Sequence, residues 1–509
     1  SIGISNFTGL LGAELDGGVD NLDRVLDSNF IYTILDAALS IDGLGDYVAT
    51  VLNDVLGSTI TTIDITMPAE TLGNAVDHDP IEVGRITKQE FKNIFVSLDL
   101  IDIATLIDGG TFGFEMVTDL VDPDNPADDF TTFLASDFIY LLIARLFENE
   151  DLSNVLGDLL SDLFGAEVAI TLGAPVDAKG TTGVETGIMT RAELRQLMIS
   201  VKMLGITGMP DAESITVQTI MDMIGRNDVA GEDDFSRFLD SLYLQDKLSA
   251  ILLADPVIEL ISTDLFDPVD FVLPDVATID VAGTERLTKQ ELYDLFAGLK
   301  LLDITDFENI DLGIDTVTSL TQADVDQLLQ STYVYLILDL IIKNEDSVDV
   351  PAGAFETAGD YTGMIKKDEI RAVFTALDLL SITDLANVDP DTISASDLQD
   401  VLDQTDSVLV NYILSQAVIE ALDPDSEDII PIEAFEGADR AGGLLTDAEL
   451  VALIDAILAI AADPDDAITD IDFAAITVAQ VMNLKGTTSF IIKQLVSDEI
   501  TTTIGAANI

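Results

Sequence analysis

Carboxylates are the versatile side chains this sequence offers in quantity, 94 Asp and Glu among 509 residues, and they gather in short loops. Asp-Pro-Asp recurs at Asp122-Pro123-Asp124, Asp389-Pro390-Asp391, Asp423-Pro424-Asp425 and Asp463-Pro464-Asp465-Asp466. Hard oxygens spaced closely on a loop suit Ca2+, and weak extracellular-type sites need only a few of them, completed by water. Asp122, Asp124, Asp423, Asp425, Asp463, Asp465 and Asp466 are therefore candidate ligands. The same tripeptide also opens a helix or turn with no ion present. Its first Asp caps, Pro presets φ and the second Asp faces the positive end of the helix dipole. Any single cluster is read most simply as such a cap, while at this net charge some divalent binding across the set is expected.

A second acidic pattern recurs five times. Gly84-Arg85-Ile86-Thr87-Lys88-Gln89-Glu90, Gly187-Ile188-Met189-Thr190-Arg191-Ala192-Glu193, Leu287-Thr288-Lys289-Gln290-Glu291, Gly363-Met364-Ile365-Lys366-Lys367-Asp368-Glu369 and Gly443-Leu444-Leu445-Thr446-Asp447-Ala448-Glu449 all lead into apolar runs. The placement of Gly, apolar residue and Glu resembles the second half of an EF-hand loop, which implies a sharp turn at Gly and a bidentate calcium ligand at Glu. Asp360, Thr362 and Glu369 carry the likeness furthest, but Ala358 stands at the first ligand position. In the window opening at Asp79, Ile81 and Val83 replace oxygen ligands. A capping box needs only residues that are present. It predicts that Thr87, Thr190, Thr288 and Thr446 cap the third backbone N–H while Glu90, Glu193, Glu291 and Glu449 reach back to the cap.

Other chemistry is excluded by composition. There is no Cys and one His, so disulfides, thiolate nucleophiles, Cys-based zinc sites and multi-histidine centres have no residues to build them. Twenty-two basic residues against 94 acidic ones give a net charge of −72, the wrong sign for nucleic acid or anionic lipid. His78 reads as a solvated loop residue. Asp108-Gly109-Gly110-Thr111 lacks the Lys and spacing of a phosphate loop. Two carboxylates could meet as in a glycosidase, but no pair is singled out and there is no Trp to stack on sugars. The reading is non-enzymatic.

The elements that must position these groups form an internal repeat. Its second marker is a hydroxyl residue opening an apolar helix, at Ser28, Ser136, Ser241, Ser331, Ser407 and Thr488. From each glutamate to the next such residue the intervals are 46, 48, 40, 38 and 39 residues, whereas the hydroxyl-to-glutamate half carries insertions. Beta-branched runs beside Pro, at Ile63–Pro68, Val348–Pro351 and Ile429–Ile432, predict brief strands or edge segments. Runs beginning at Thr321 and Ser394 predict a short third helix. The expected fold is mainly α with short extended segments: a tandem array of about five units of roughly 80–105 residues, elongated as a rod. Its parts are a partial repeat at 1–27, repeats at 28–135, 136–240, 241–330, 331–406 and 407–487, and a partial repeat at 488–509. That phase suggests an excerpt of a longer array or end-to-end contacts between copies. No apolar stretch reaches the ~18 residues of a membrane span.

These features predict a structural repeat protein, a rod or filament at a cell or particle surface, extracellular, self-associating head to tail and tuned by salt or Ca2+. High salt or millimolar divalent cations would quiet so acidic a surface, since the screening length falls to ~3 Å at 1 M. The alternative is an adhesin-like or scaffold array whose insertions, at roughly 40–85, 150–185 and 255–285, recognise a protein or surface partner.

Overall fold

The computed structural model describes residues 9–11, 14–15, 19–39, 72–74, 76, 78–102, 115–147, 173–205, 216–226, 233–253, 286–304, 320–344, 350–380, 393–422, 430–438, 443–460, 484–494 and 497. It is mainly helical. After a two-residue antiparallel pair, β1 (Glu14–Leu15) and β2 (Val19–Asp20), come α1 (Asn21–Leu26), α2 (Asn29–Leu39), α3 (Lys88–Leu100), α4 (Glu115–Thr118), α5 (Asp129–Phe133) and α6 (Asp137–Leu146). Then follow α7 (Arg191–Met203), α8 (Val217–Met221), α9 (Asp234–Phe238), α10 (Leu242–Leu252) and α11 (Lys289–Leu301). The remaining helices are α12 (Gln322–Leu328), α13 (Thr332–Asn344), α14 (Lys367–Leu379), α15 (Ala395–Gln404), α16 (Val408–Leu422) and α17 (Asp447–Ile460). No helix among the described residues is long and apolar enough to cross a membrane.

The chain divides into two compact units, one made of Ser1–Asp264, Ile279–Phe296 and Thr305–Asn309, the other of Leu265–Thr278, Ala297–Ile304 and Ile310–Ile509. In the first, the main core gathers Phe130, Tyr140, Met189, Leu194 and Met198, and a smaller cluster holds Leu22, Leu26, Tyr32, Ile86 and Phe91. In the second, Val401, Leu450, Leu453, Ile457 and Ile491 form the centre. Helical spacing explains the membership: Leu450, Leu453, Ile454 and Ile457 lie on one face of α17.

Both sequence markers correspond to helix starts. Thr87, Thr190, Thr288 and Thr446 each accept the backbone N–H of the glutamate three residues on, at 3.1 Å. The Gly of the pattern takes a left-handed turn, with φ of 74° at Gly84, 76° at Gly187, 89° at Gly363 and 61° at Gly443, which glycine adopts without a Cβ penalty. The exits of three of these helices also turn left-handed, at Asp102, Gly205 and Asp303. The short third helix is present at both expected places, as α12 and α15.

Of the segments expected to be brief strands, only residues 350–351 and 430–432 are described, and they lead into turns. Pro351 and Pro431 open single 3-10 turns, Ala352–Ala354 and Ile432–Ala434, and Pro175 does the same at Val176–Ala178. Proline supplies the turn's φ and lacks the N–H that would be orphaned there, so it starts a turn instead of closing a strand. The extended part shrinks to one or two bridge residues after each turn, Lys179 with Met189 and Gly180 with Thr186, Phe355 with Ile365, and Phe435 with Leu445. Residues 63–68 lie outside the described residues, as do most of the insertions.

Candidate functional site

The recurring glutamate is the most distinctive group in both units, and it does not do what a capping box predicts. Glu90, Glu193, Glu291, Glu369 and Glu449 are all buried. The carboxylates of Glu90, Glu193, Glu369 and Glu449 reach away from their own helices to the first turn of a helix far along the chain. Glu90 accepts Ser136 Oγ at 2.7 Å and the backbone N–H groups of Asp137 and Phe138 at 3.1 and 2.8 Å. Glu193 accepts Ser241 Oγ and Tyr243 N, each at 2.8 Å. Glu369 accepts Ser407 Oγ at 2.6 Å and Leu409 N at 2.9 Å. Glu449 accepts Ser489 Oγ at 2.6 Å and the N–H groups of Phe490 and Ile491 at 2.8 and 2.9 Å. The last hydroxyl is Ser489, one residue beyond the Thr488 that the sequence suggested.

Each contact is a carboxylate latch. The serine hydroxyl caps its own helix, accepting the N–H three residues on at 3.1 Å in Ser136, Ser407 and Ser489, and donates its proton to the glutamate. The carboxylate then takes further N–H groups of the first turn, where the helix dipole favours negative charge. Charge-assisted hydrogen bonds of this kind contribute about 1.5–3 kcal/mol each. Burial pushes the Glu90 and Glu193 carboxyls above the ordinary glutamate value despite those donors.

Two further features hold the loops that precede the glutamate helices, and a third packs those helices against their neighbours. Tyr32, Tyr140 and Tyr335, four residues after Ser28, Ser136 and Ser331, donate their hydroxyls to the carbonyls of Ile86, Met189 and Ile365. Eight residues after the opening serine, Asp36 accepts Ile86 N and Asp339 accepts Ile365 N, while Ser249 and Ser415 do the same for Leu287 and Leu445. Seven residues beyond the glutamate the side chain is small. Ser97 and Ser200 there donate to the carbonyls of Phe133 and Phe238 at the ends of α5 and α9. At Gly298, in the same position of α11, a Cβ would lie 3.2 Å from Val334 and 3.4 Å from Leu328.

The candidate cation loop around Asp122 and Asp124 is built around guanidinium groups. Arg195 donates to the carbonyls of Asp122 and Asn125 and to the Asp128 carboxylate, Arg237 to the Pro123 carbonyl and Asp124, and Lys202 to the Val121 carbonyl. Burial would raise Asp128, but hydrogen bonds from Thr131, the Asp122 amide and Arg195 outweigh it and hold the carboxyl below the ordinary aspartate value. Arg195 and Arg237 thus take carbonyls of this loop and the Asp128 and Asp124 carboxylates, while the Asp122 carboxylate accepts the Asp124 amide; Asp122 and Asp124 face solvent. Asp360 and Thr362 are exposed on their turn, with Thr362 Oγ1 donating to the Gly359 carbonyl, whereas Glu369 is buried and latched to Ser407. Asp423, Asp425, Asp463, Asp465 and Asp466 lie outside the described residues. Among the described residues no group of three or more His, Asp or Glu side chains is gathered for a metal ion. His78 Nδ1 accepts the Asn74 amide across a short loop at 3.2 Å.

Reasoning from sequence passed over Arg195, Arg237 and Lys202, whose partners are 67 to 114 residues away in the chain. The latch did leave a trace. Its two ends are the two markers, and the near-constant interval between them is the distance across which carboxylate and hydroxyl must meet. Compared with known protein families, with curated proteins and with solved structures, the chain matches none.

Proposed function

We propose that this chain is a non-enzymatic structural repeat protein, a rod or filament displayed at a cell or particle surface. The observation that carries the reading is the latch at Glu90, Glu193, Glu369 and Glu449, which spends the buried acids on joining one helix to the next instead of on an open cleft. A chain joined this way resists tension along its length, because each latch must break together with the apolar contacts beside it. Stability is then a sum of unit and interface terms. The acidic exterior keeps neighbouring rods apart until salt or divalent cations such as Ca2+ screen it. End-to-end association lengthens the rod, since a heterologous contact that does not close makes an open fibre.

Small-angle X-ray scattering tests the shape. A compact chain of this length has a radius of gyration of about 23 Å. The proposal expects a value at least half as large again, with the cross-section of a few helices, in EGTA and in millimolar calcium alike. A value near that of a compact body would overturn it.

A further inference from the structure

Seven of the 14 prolines follow an Asp, and two of those bonds, Asp79–Pro80 and Asp122–Pro123, lie within the described residues. The Asp–Pro bond is chemically weak. Pro carries no N–H, so its nitrogen cannot attack the preceding Asp side chain to form a succinimide. What remains is attack by the Asp carboxyl on its own backbone carbonyl, which closes a five-membered ring and expels the proline nitrogen. Holding the two groups on one residue makes this step intramolecular.

The two bonds have different surroundings. The Asp79 carbonyl accepts a neutral donor, the Glu82 amide, at 2.8 Å. The Asp122 carbonyl accepts Arg195 Nη2 at 2.7 Å, a charged donor. Its neighbours are held in the same way, with Lys202 Nζ donating to the Val121 carbonyl at 2.7 Å and Arg237 Nη2 to the Pro123 carbonyl at 3.4 Å. In a chain with 22 basic residues, three of them face three consecutive carbonyls. Arg195 also pairs at 3.0 Å with Asp128, whose side chain is 1 % exposed, so the guanidinium is anchored before any reaction. The Asp122 carboxylate is folded back over the same loop, its Oδ1 accepting the Asp124 amide at 3.0 Å.

We infer that Asp122–Pro123 is a self-cleavage site whose backbone carbonyl is activated by Arg195. A carboxyl oxygen of un-ionised Asp122 attacks the Asp122 carbonyl carbon, and the carboxyl proton passes to the Pro123 nitrogen. Negative charge gathers on the carbonyl oxygen, the atom Arg195 contacts, at the separation an oxyanion donor requires. The C–N bond breaks, leaving a cyclic anhydride at residue 122 and a free amino terminus at Pro123. Water then opens the anhydride to two carboxyls, so the sum is hydrolysis of one peptide bond, once per chain. The cut is bridged. Glu90 and Ser97 lie before it, and they hold Ser136 and the Phe133 carbonyl after it. The cleaved chain therefore stays joined at this point by a latch and packing alone.

The test incubates the full chain with protease inhibitors at about pH 5 and 37 °C for several weeks and follows fragments by mass spectrometry after denaturation. A parallel sample in 8 M urea gives the rate of the same bond without the fold. Fragments 1–122 and 123–509 should appear at least about tenfold faster in the folded chain than in urea, and at least about tenfold faster than cleavage after Asp79, since one oxyanion donor contributes about 100-fold or more. In water enriched in 18O, label should enter the side-chain carboxyl of residue 122 as well as the new terminus. Asp122→Glu keeps the charge at an exposed position and enlarges the ring, and should slow cleavage at least about tenfold. Arg195→Met should bring the folded rate down to that in urea, with circular dichroism checking the fold. If that variant does not fold, the urea comparison and Asp122→Glu decide the matter. Equal rates in the folded chain and in urea, cleavage unchanged by Asp122→Glu, label confined to the new α-carboxyl, or no fragment at all overturns the inference. None of these readouts depends on shape, so a compact body by X-ray scattering defeats the function proposed above and leaves this inference standing.

Discussion

Two kinds of helix start share one sequence signature and use it in opposite ways. At Thr321 and Ser394 the acid three residues on is Asp, and its carboxylate returns to the cap: Asp324 accepts Thr321 N at 2.8 Å and Asp397 accepts Ser394 N at 2.9 Å. At Thr87, Thr190 and Thr446 the acid is Glu, and its carboxylate leaves for another helix 46 to 48 or 40 residues away. The hydroxyl half is the same in both, since every one of these caps accepts the third backbone N–H. One methylene and the burial of the helix separate a local box from a long-range latch. Asp is short enough to be satisfied by its own first turn. Glu can also close a box, but it reaches further and, once its helix is packed in the core, takes donors on whatever lies opposite.

Removing a latch should have the largest effect. Glu449→Ala leaves the Ser489 hydroxyl and the Phe490 and Ile491 amides without their acceptor. Urea unfolding followed by near-ultraviolet dichroism should show a loss of about 2–4 kcal/mol, carried by the second unit. Glu449→Asp sharpens the contrast. The shortened carboxylate should fall back on the Thr446 amide as a box, leave Ser489 exchanging faster and cost about 1–2 kcal/mol. Asp397→Ala, which removes only a local box, should cost about 1 kcal/mol, with hydrogen exchange changed in the first turn of α15 alone.

Acidity separates the groups again. The carboxyls of Glu90 and Glu193 sit above the ordinary value, so their contribution is fully present below the ordinary glutamate pKa and is lost as pH rises through the folded value. Asp177, drawn down chiefly by its hydrogen bond from Arg286, behaves oppositely, as does Asp128: their contribution is present above the ordinary aspartate pKa and lost as pH falls through the folded value. The melting temperature of the parent should therefore rise modestly as pH falls from 8 towards about 5, then decline in stronger acid. Replacing both Glu90 and Glu193 by Gln should flatten the first limb and leave the second, a difference scanning calorimetry would resolve.

Much of the architecture was legible because it is local. The Thr caps, the left-handed glycines and the third helices at Thr321 and Ser394 depend on a few adjacent residues, and each is found where the residues predict it. At Pro351 and Pro431 the chain turns where a strand end was expected, because a beta-branched run beside Pro suits either a strand end or a 3-10 turn. The choice fell to the Ala at the turn's end. Ala178, Ala354 and Ala434 are buried, and their carbonyls take the amides of Thr190, Lys366 and Thr446. The aspartate loop at Asp122 was half legible: the oxygens were evident, but the arginines that fill it come from α7 and α9.

The sequence by itself determined a mainly helical chain, where several helices begin, and which acid recurs in the same place five times. It also determined the interval between that acid and a later hydroxyl, without showing what the interval meant. Only the tertiary structure decided where the carboxylates go, because the destination depends on which helix lies opposite once apolar faces are buried. A side chain's reach is set by its length, but its partner is set by packing, and packing joins residues that adjacency along the chain keeps apart.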